Sequence, residues 1–320
     1  MPAWAGDRSC SPALDRFTEP ASRQNGHVKT TGSRSLADTS AIVVHLIDGT
    51  YELFRHFYGQ RRFNKGKDRR FGAVVGVLHS VLEFVERGET HIGVATDHVI
   101  ESFRNRLWGG YKTSDGIEPA LWAQFHPLED ALDAMGITVW PMTDLEADDA
   151  LASAARLASK EKRVQKVCLW TPDKDLAQCV EGDRVVQVDR RTKTIRDAAG
   201  VRKKYGVEPA LIPDFLALVG DAADGYPGIE GIGTVGAARL LNRHGPIEAF
   251  PPEVLGPRRK EALLFKRLAT LRSDARLFTR VDQLRWRGPS DEFAAWTQRI
   301  DAPRLLDRCL AAQAALLQVG

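Results

Sequence analysis

The sequence predicts an α/β fold in which helices flank a doubly wound, mostly parallel sheet. Short apolar runs recur through the first half of the chain, and most of them end at an aspartate. Stretches with helical periodicity separate these runs. From about residue 207 onward the pattern becomes mostly helical, without a convincing strand. Strands that alternate with helices are typical of a parallel sheet.

The first predicted strand is the run from Ala41 to Ile47, which is apolar and rich in β-branched residues. Such a continuous run favours a buried parallel strand over a half-exposed one. Similar runs follow at 91–96, 137–140 and 166–171, and the segment from Gly72 to Arg87 has the periodicity of a helix. These elements alternate in the order that a parallel sheet requires.

Acidic residues stand where these strands end. Because ligands of an open parallel sheet collect at the carboxyl ends of its strands, we expect these side chains to converge. Glu146 and Asp149 are three residues apart on a predicted helix and therefore share a face. Any single acid could instead cap the helix that follows it, but seven acids at four strand ends favour a shared site. The seven are Asp48, Asp97, Glu146, Asp148, Asp149, Asp173 and Asp175.

Seven carboxylates in one cleft cannot all stay ionised without positive charge, since like charges within about 4–6 Å raise each other's pKa. The sequence therefore predicts bound cations. An all-oxygen set favours Mg²⁺ or Mn²⁺ over zinc, and we interpret His45 as a core residue and His98 as a loop residue. Two such ions activate a water and stabilise the leaving oxygen of a phosphodiester, which predicts phosphate-ester hydrolysis. A haloacid-dehalogenase-type phosphatase is excluded because Thr50 stands where a second aspartate is needed.

Composition narrows the class of protein further. The 320 residues leave room for about two domains, and no apolar run approaches the ~20 residues of a membrane helix. Four cysteines lie far apart without a CxxC pair, which favours a reducing compartment and no structural zinc. The net charge of +3 does not by itself indicate a polyanionic partner.

Residues 1–40 are rich in Ser, Ala, Arg, Thr and Asp and show no periodicity. We predict a disordered N-terminal extension. The segment lacks the hydrophobic stretch of a signal peptide, and its acids argue against a transit peptide. These features predict a cytoplasmic protein.

A glycine-rich stretch at 220–236 lies between two helical patterns. A tight hairpin there, with Gly231, Gly233 and Gly236, presents backbone N–H groups at a helix N-terminus, which binds phosphate without any side chain. A close-packed helix turn is the alternative. Asp221 and Asp224 precede the hairpin and add two candidate ligands.

Taken in order, these motifs resemble those of the bacterial 5′→3′ exonuclease/flap endonuclease family, which occurs as the N-terminal domain of family A DNA polymerases and as stand-alone phage enzymes. The resemblance extends from about Ile42 to the C-terminus. The matching residues are Asp48-Gly49, Arg55, Asp97, Ser102-Phe103-Arg104, Gly109-Gly110-Tyr111-Lys112, the stretch from Glu146 to Ala152, Thr171 to Leu176, Gly220-Asp221, Asp224, Pro227-Gly228 and Gly231-Ile232-Gly233.

The resemblance implies a PIN-like 5′-nuclease fold, with an α/β catalytic domain over 41–205 and a helical arch near 101–125. A helical C-terminal DNA-binding region with a helix-hairpin-helix is expected over 206–320. Two Mg²⁺ or Mn²⁺ ions are implied, with Asp149 at the first site or supporting it and Asp221 supporting the second. The ligands are Asp48, Asp97, Glu146 and Asp148 for the first ion and Asp173, Asp175 and Asp224 for the second.

The resemblance also implies contacts with DNA. Arg55, Arg104 and Lys112 are expected to act in catalysis, and Arg106 to contact phosphates of a threaded single strand. The aromatic residues Phe103, Trp108 and Tyr111 either stack on bases or pack the arch, and both interpretations remain open. The hairpin is expected to hold duplex backbone, with a K⁺ ion, and Lys203 and Lys204 to add phosphate contacts.

The implied function is a structure-specific 5′ nuclease acting on 5′ flaps, nicked or gapped duplex and RNA–DNA hybrids. It is expected to be a monomer in the cytoplasm, associated with the nucleoid. The chain stops where the nuclease module ends, so it would cooperate with a separate DNA polymerase and ligase. Two alternatives are a non-catalytic structure-specific DNA-binding protein and an RNA-cleaving PIN-type nuclease.

The chain departs from the family pattern in two places. Asp115 stands where an arginine is common, which weakens any expectation about affinity in the arch. The usual Ser-Asp-Asn is Ala223-Asp224-Gly225, so the expected ligand is kept while its neighbours differ.

Overall fold

The computed structural model describes residues 41–63 and 69–319, so the predicted disorder of residues 1–40 lies outside the described residues. Six strands form one sheet in the order β3-β2-β1-β4-β5-β6. All neighbouring strands are parallel except β6, which is antiparallel to β5. The predicted mostly parallel sheet is therefore confirmed. The strands are β1 (Ile42–Asp48), β2 (His91–Asp97), β3 (Thr138–Met142), β4 (Val164–Trp170), β5 (Val185–Asp189) and β6 (Thr194–Arg196).

Helices cover both faces of this sheet and continue beyond it. No strand follows β6 in the described part of the chain, in agreement with the predicted change to a helical pattern. The helices are α1 (Gly49–Phe63), α2 (Gly72–Glu86), α3 (Pro119–Trp122), α4 (Phe125–Ala134), α5 (Ala147–Ser159), α6 (Ala198–Tyr205), α7 (Ile212–Val219), α8 (Thr234–His244), α9 (Pro252–Leu255), α10 (Arg259–Ala269), α11 (Phe293–Arg299) and α12 (Arg304–Val319).

Three large apolar clusters hold these layers together, and a small fourth one lies on β4 and β5. One lies between the sheet and α1, α2 and α4, and a second lies between the opposite face of the sheet and α5. The third joins α6, α7, α8 and α10 into a helical region. The start of α1 packs tightly on β2, because a Cβ at Gly49 would lie 2.7 Å from Val94 and 2.8 Å from Thr96. Glycine at this position allows α1 to begin directly after Asp48, against the neighbouring strand.

The end of the chain does not belong to the helical region that we predicted over 206–320. Trp286, Phe293, Leu305 and Cys309 are buried in the cluster that contains α2 and α4, and the Trp286 indole N–H donates to the Met135 carbonyl at 2.8 Å. The residues after about 280 therefore pack on the α/β part of the molecule. Their helical periodicity was visible in the sequence, but their packing partner was not.

The segment near 101–125, where we predicted a helical arch, is only partly helical. It contains a 3₁₀ turn at Phe103–Arg106 and the single turn of α3. Tyr111, between them, is buried in the apolar cluster of the helical region.

Among the helices that the structure describes, none combines the length and apolar composition needed to cross a membrane.

Candidate metal centre and nucleic-acid interface

The ends of β1 and β2 carry two buried carboxylates, Asp48 and Asp97. Asp48 accepts hydrogen bonds from the Tyr51 backbone N–H at 2.8 Å and the Thr171 hydroxyl at 3.0 Å. Asp97 accepts from the Ala147 backbone N–H at 2.8 Å, at the start of α5. Each carboxylate therefore accepts a hydrogen bond from the first turn of a helix, which is the capping role considered as the alternative for single acids. Both carboxylates also lie at the carboxyl edge of the sheet.

The start of α5 is held by a buried ion network. Arg104 is 1% exposed, and its guanidinium donates to both carboxylate oxygens of Asp149 at 2.8 Å and to Glu146 Oε1 at 3.0 Å. Its Nε donates to the Leu268 carbonyl at 2.8 Å, at the end of α10. A single side chain thus joins the predicted arch segment, α5 and α10.

This geometry contradicts the expectation that Arg104 contacts phosphates or the reacting groups. Its donors are directed at protein carboxylates and carbonyls, and solvent does not reach it. Asp149 is also fully buried, and it accepts an additional hydrogen bond from the Arg272 backbone N–H at 2.8 Å. Asp149 therefore supports neighbouring residues of the site and has no access to solvent. Of the two roles expected for it, ligand or support, this position favours support.

Lys112 lies between two groups of acids. Its Nζ is 2.8 Å from Glu146 Oε2 and 3.2 Å from Asp224 Oδ1. Glu146 Oε1 also accepts from the Ser102 hydroxyl at 2.6 Å. Although burial opposes ionisation, the charges of Lys112 and Arg104 hold the pKa of Glu146 below its usual range. This carboxylate is thus neutralised by the protein's own cations.

The segment that carries Lys112 is fixed against the loop after α7. The Lys112 backbone N–H donates to the Asp224 carbonyl at 3.1 Å, and the Trp108 indole N–H donates to the Gly225 carbonyl at 3.0 Å. A Cβ at Gly225 would lie 1.9 Å from the Gly110 oxygen, so the two backbones can approach only because this residue is glycine. Trp108 and the 3%-exposed Tyr111 therefore pack the protein, and of the two interpretations left open for them the structure favours packing over stacking on bases.

Carboxylates of α5, of the segment after β4 and of the loop after α7 form two triads that share Asp175. In each triad one ligand oxygen per residue lies within 4.8 Å of the others; no further group of three such side chains meets this criterion in residues 41–63 and 69–319. Asp175 is 5% exposed, and its Oδ1 has no hydrogen-bond partner among the described residues. The triads are Asp148, Asp173 and Asp175, and Asp175, Asp221 and Asp224.

Burial and mutual repulsion act on these groups. Burial, followed by the charges of Asp97 and Asp173, raises the pKa of Asp48 to about 7. Burial, followed by Asp173, raises the pKa of Asp148 and of Asp175 well above the usual range. A group of acids that retains protons near neutral pH is one that a divalent cation would convert to the ionised form.

The two predicted ligand sets are therefore regrouped in the structure. Asp148 was expected with Asp48, Asp97 and Glu146, but it lies with Asp173 and Asp175. Asp48, Asp97 and Glu146 belong to no group of three within 4.8 Å in the described residues, since Asp97 caps α5 and Glu146 is bonded to Arg104, Lys112 and Ser102. The first ion site expected at these acids stays a prediction. Asp221, expected to support the second ion, lies within its triad, and its Oδ2 is 2.7 Å from Lys174 Nζ.

Two other predicted basic residues have protein partners. The Arg55 guanidinium contacts Glu52, His56 and Ser80 between α1 and α2, and no bond to a predicted metal ligand is found for it within the described ranges. Arg106 is exposed and lies 2.8 Å from Asp144, which is also exposed. An exposed ion pair of this kind is weak, so Arg106 can exchange Asp144 for a phosphate.

The residues expected to contact duplex backbone lie on the surface. Lys203 and Lys204 are exposed in the last turn of α6. Gly231 and Gly233 precede α8, and a Cβ at either would meet no atom within 4 Å. With α7 before it and α8 after it, this glycine segment forms the predicted helix-hairpin-helix. Gly236 lies within the first turn of α8.

Several residues that shape the site were named from the sequence only as part of a matching motif, without a role. Thr171 binds Asp48, Ser102 binds Glu146, and Lys174 binds Asp221. Lys174 lies between Asp173 and Asp175 in the sequence, and that position could have indicated a cation close to the acids. Tyr226, which no sequence pattern indicated, is 1% exposed, and its buried hydroxyl has no hydrogen-bond partner within the part of the chain that the structure describes.

Solved structures share this fold. A flap endonuclease of bacteriophage T5, solved with DNA and metal ions, superposes with a TM-score of 0.57 at 17% identity, covering 85% of this chain and 99% of its own. The catalytic core of Rad2 with DNA substrate gives a TM-score of 0.57 at 12% identity, covering 87% of this chain and 95% of its own. At such identities the similarity concerns the fold alone.

Relatives are found at higher identity. A 5′-3′ exonuclease of Buchnera aphidicola is 31% identical over 248 residues, covering 72% of this chain and 81% of its own. One from Aquifex aeolicus is 30% identical over 207 residues, covering 64% of this chain and 71% of its own. DNA polymerase I of Pseudomonas aeruginosa is 32% identical over 259 residues, which cover 75% of this chain but only 28% of the polymerase.

Family models match most of the chain. Residues 43–206 match the 5′-3′ exonuclease N-terminal resolvase-like domain, and residues 207–292 match the 5′-3′ exonuclease C-terminal SAM fold. The boundary between the two models falls where the sequence pattern becomes helical. With these matches and the acidic edge of the sheet, the chain belongs to the 5′-3′ exonuclease family.

Proposed function

We propose that this protein is a metal-dependent, structure-specific 5′ nuclease that hydrolyses DNA phosphodiesters as a 5′→3′ exonuclease and flap endonuclease. The observation that carries the proposal is the pair of carboxylate triads that share Asp175. They lie at the carboxyl edge of a parallel sheet, where such folds bind ligands. Family membership supports the same activity.

The residues present fit two divalent ions. Both triads offer only carboxylate oxygens, which suit Mg²⁺ or Mn²⁺. The unpartnered Oδ1 of buried Asp175 is an acceptor without a donor, which is the state expected of a ligand atom. Bound ions supply an activated water and neutralise the charge that develops on the phosphate. Asp48 and Asp97 border the triads, and we propose that they fix waters around the ions.

Lys112 is the proposed cationic partner of the scissile phosphate. Its ammonium joins the Glu146 network to Asp224 of the second triad, and its side chain is 30% exposed, so a phosphate arriving from solvent can reach it. The acids around it raise its pKa, so it keeps its charge through the neutral range. Arg104 holds Glu146 and Asp149 in place rather than contacting DNA.

The hairpin before α8 is the proposed contact for the duplex backbone. Its open surface at Gly231 and Gly233 lets phosphates approach backbone N–H groups at the start of an 11-residue helix. A K⁺ ion at the hairpin carbonyls and phosphate contacts by Lys203 and Lys204 belong to the same proposal. Gly233→Val is expected to weaken duplex binding about fivefold without unfolding the protein, since one hydrogen bond is worth about 1 kcal/mol.

The proposed substrates are 5′ flaps and nicked or gapped duplexes, with RNA–DNA hybrids as a further class. We propose that the protein acts as a monomer in the cytoplasm, near the nucleoid, and that a separate DNA polymerase and ligase complete the repair of its products. Arg55 remains a proposed catalytic residue and Arg106 a proposed phosphate contact. The catalytic domain is proposed to span 41–205, followed by the DNA-binding region.

End-labelled flap, nicked and single-stranded DNA, incubated with purified protein with and without Mg²⁺, test the proposal. We expect cleavage near the flap junction that requires the metal. Binding of the flap without cleavage in Mg²⁺ or Mn²⁺ would instead support a non-catalytic DNA-binding protein. Preferential cleavage of single-stranded RNA would support the PIN-type alternative.

A further inference from the structure

Two large aromatic side chains are exposed on α1 and α3. Tyr58, in the second half of α1, is 43% exposed, and Trp122, at the end of α3, is 37% exposed. Trp122 also lies in the segment near 101–125, where the sequence indicated contact with a single strand. Neither residue was among the aromatic residues for which the sequence suggested stacking on bases.

The two exposed rings are the ends of one row of aromatic side chains. Tyr58 lies 6.2 Å from Phe54 between ring centroids, and Phe54 lies 6.0 Å from Phe125. Phe125 in turn lies 4.9 Å from Trp122. Phe125 is 3% exposed and belongs to the apolar cluster that contains α2 and α4. The inner rings therefore anchor the outer ones to the core, and a joined apolar patch of this kind marks a binding surface more often than single exposed residues do.

The contacts of α4 place this aromatic row at the acidic edge of the sheet. His126, the residue after Phe125, stacks on His98 with 4.1 Å between ring centroids and 9° between ring planes. Its Nε2 also lies 3.2 Å from the His98 carbonyl oxygen. His98 directly follows Asp97, the last residue of β2. The row therefore lies beside a strand end that carries one of the buried carboxylates.

The two helices that carry the exposed rings are joined by an ion pair, and a further cation lies near them in the sequence. Arg61 of α1 pairs with Glu118, the residue before α3. Arg62, also in the last turn of α1, is exposed. Proteins that bind single-stranded nucleic acid combine aromatic faces, on which bases stack, with cations that meet the phosphates. This surface has both parts.

We propose that Tyr58 and Trp122 stack on unpaired bases of the single strand of a 5′ flap, beside the strand end that carries Asp97. They take the stacking role that the sequence suggested for residues such as Tyr111, which packs the protein. The inference rests on the proposed function, because it assumes a substrate with unpaired nucleotides. Every base has an aromatic face, so this recognition is independent of the flap sequence.

Tyr58→Leu and Trp122→Leu remove a ring and keep an apolar side chain. The test measures binding of a 5′ flap that carries 2-aminopurine at an unpaired position, with Ca²⁺ in place of Mg²⁺ to prevent cleavage. Stacking quenches the fluorescence of 2-aminopurine, so affinity and stacking are read together. We expect each variant to bind the flap at least about fivefold more weakly, the low end of what one stacked base contributes, and to quench the fluorescence less. Affinity for a blunt duplex should be unchanged.

Trp296→Leu is the matched control. Trp296 is a half-buried tryptophan of α11 that lies against Arg299 at 4.5 Å, outside the aromatic row, so flap affinity should be unchanged. Trp122→Tyr keeps a ring and should retain most of the affinity.

The inference would be overturned if both leucine variants bound the flap like the parent, or if they lost affinity for the blunt duplex to the same extent. An equal loss in Trp122→Tyr and Trp122→Leu would overturn it as well, because the ring would then not be what matters. A parent protein that neither prefers the flap over the blunt duplex nor cleaves it in Mg²⁺ would overturn the proposed function, and this inference with it.

Discussion

Two groups of acids lie at the same edge of the sheet and differ in what neutralises them. Glu146 and Asp149 are paired with Arg104 and Lys112 through bonds of 2.8 to 3.0 Å. The two triads around Asp175 contain five carboxylates, and the protein cations within reach of them are Lys174 at Asp221 and Lys112 at Asp224. The first group is complete as folded, whereas the second has more carboxylates than protein cations to neutralise them.

From this difference we infer which acids serve the fold and which serve the proposed reaction. A buried carboxylate that has a bidentate arginine needs no further ligand, and removing its partner leaves an uncompensated charge. Carboxylates that mainly repel each other keep protons until a cation replaces them. The number of acids in the sequence could not separate these two groups, because the distinction depends on where Arg104 points.

The largest expected effect comes from the residue that both triads share. Asp175→Asn should reduce flap cleavage in Mg²⁺ by about 10²- to 10⁴-fold, since a metal ligand contributes several kcal/mol to the transition state. Stability should be equal or greater, because one repelling charge is lost. Single-turnover cleavage and urea denaturation measure the two quantities. The matched control is Asp130→Asn, at an exposed acid of α4, and near-parental cleavage by the Asp175 variant would remove the distinction between the groups.

Arg104→Met probes the other group and should affect mainly the fold. Asp149, fully buried, would lose its bidentate partner, so we expect a loss of about 3–5 kcal/mol in the free energy of unfolding. Urea denaturation followed by circular dichroism measures this loss. Adding Asp149→Leu should recover part of it, because the uncompensated charge is removed. If the Arg104 variant were as stable as the parent but bound DNA weakly, the result would support the phosphate contact that was expected from the sequence.

The sequence predicted the features that local patterns encode. Buried strands show as β-branched runs, and their ends show as the aspartates that follow, so Asp48, Asp97, Asp173 and Asp175 could be placed. The contacts of the Arg104 side chain could not be predicted, because its partners Asp149 and Leu268 are distant in sequence. β6 was missed because it has only three residues, whereas β5 was missed although it is as long as the predicted β3. The local pattern also could not show that Tyr111 is buried against helices that follow it by more than 90 residues.

The stability of the metal-free protein should depend on pH because of the raised pKa of Asp48. The pKa of Asp48 is about 7 in the folded chain, against about 3.9 in an unfolded one. Its contribution to stability is thus fully present below pH 4 and is lost as the pH rises to 7. In EDTA we expect stability to fall on the order of 2 kcal/mol between pH 5.5 and pH 8. Mg²⁺ should restore more stability at pH 8 than at pH 6, and an equal effect at both would contradict the raised pKa values.

The smallest expected effect concerns Lys174, whose Nζ lies 2.7 Å from Asp221 in a side chain that is 35% exposed. This ammonium competes with a divalent ion for the same triad. At such exposure the competing charge is worth about 1 kcal/mol, so Lys174→Met should increase Mn²⁺ affinity without DNA by about threefold to fivefold. Lys203→Met, at an exposed lysine of α6, should leave that affinity unchanged. If Lys174→Met instead weakened Mn²⁺ binding, Lys174 would hold the triad in the geometry that binds the ion rather than compete with the ion. Lys174 would then support the triad as Arg104 supports Glu146 and Asp149, and the difference between the two acidic groups would be smaller.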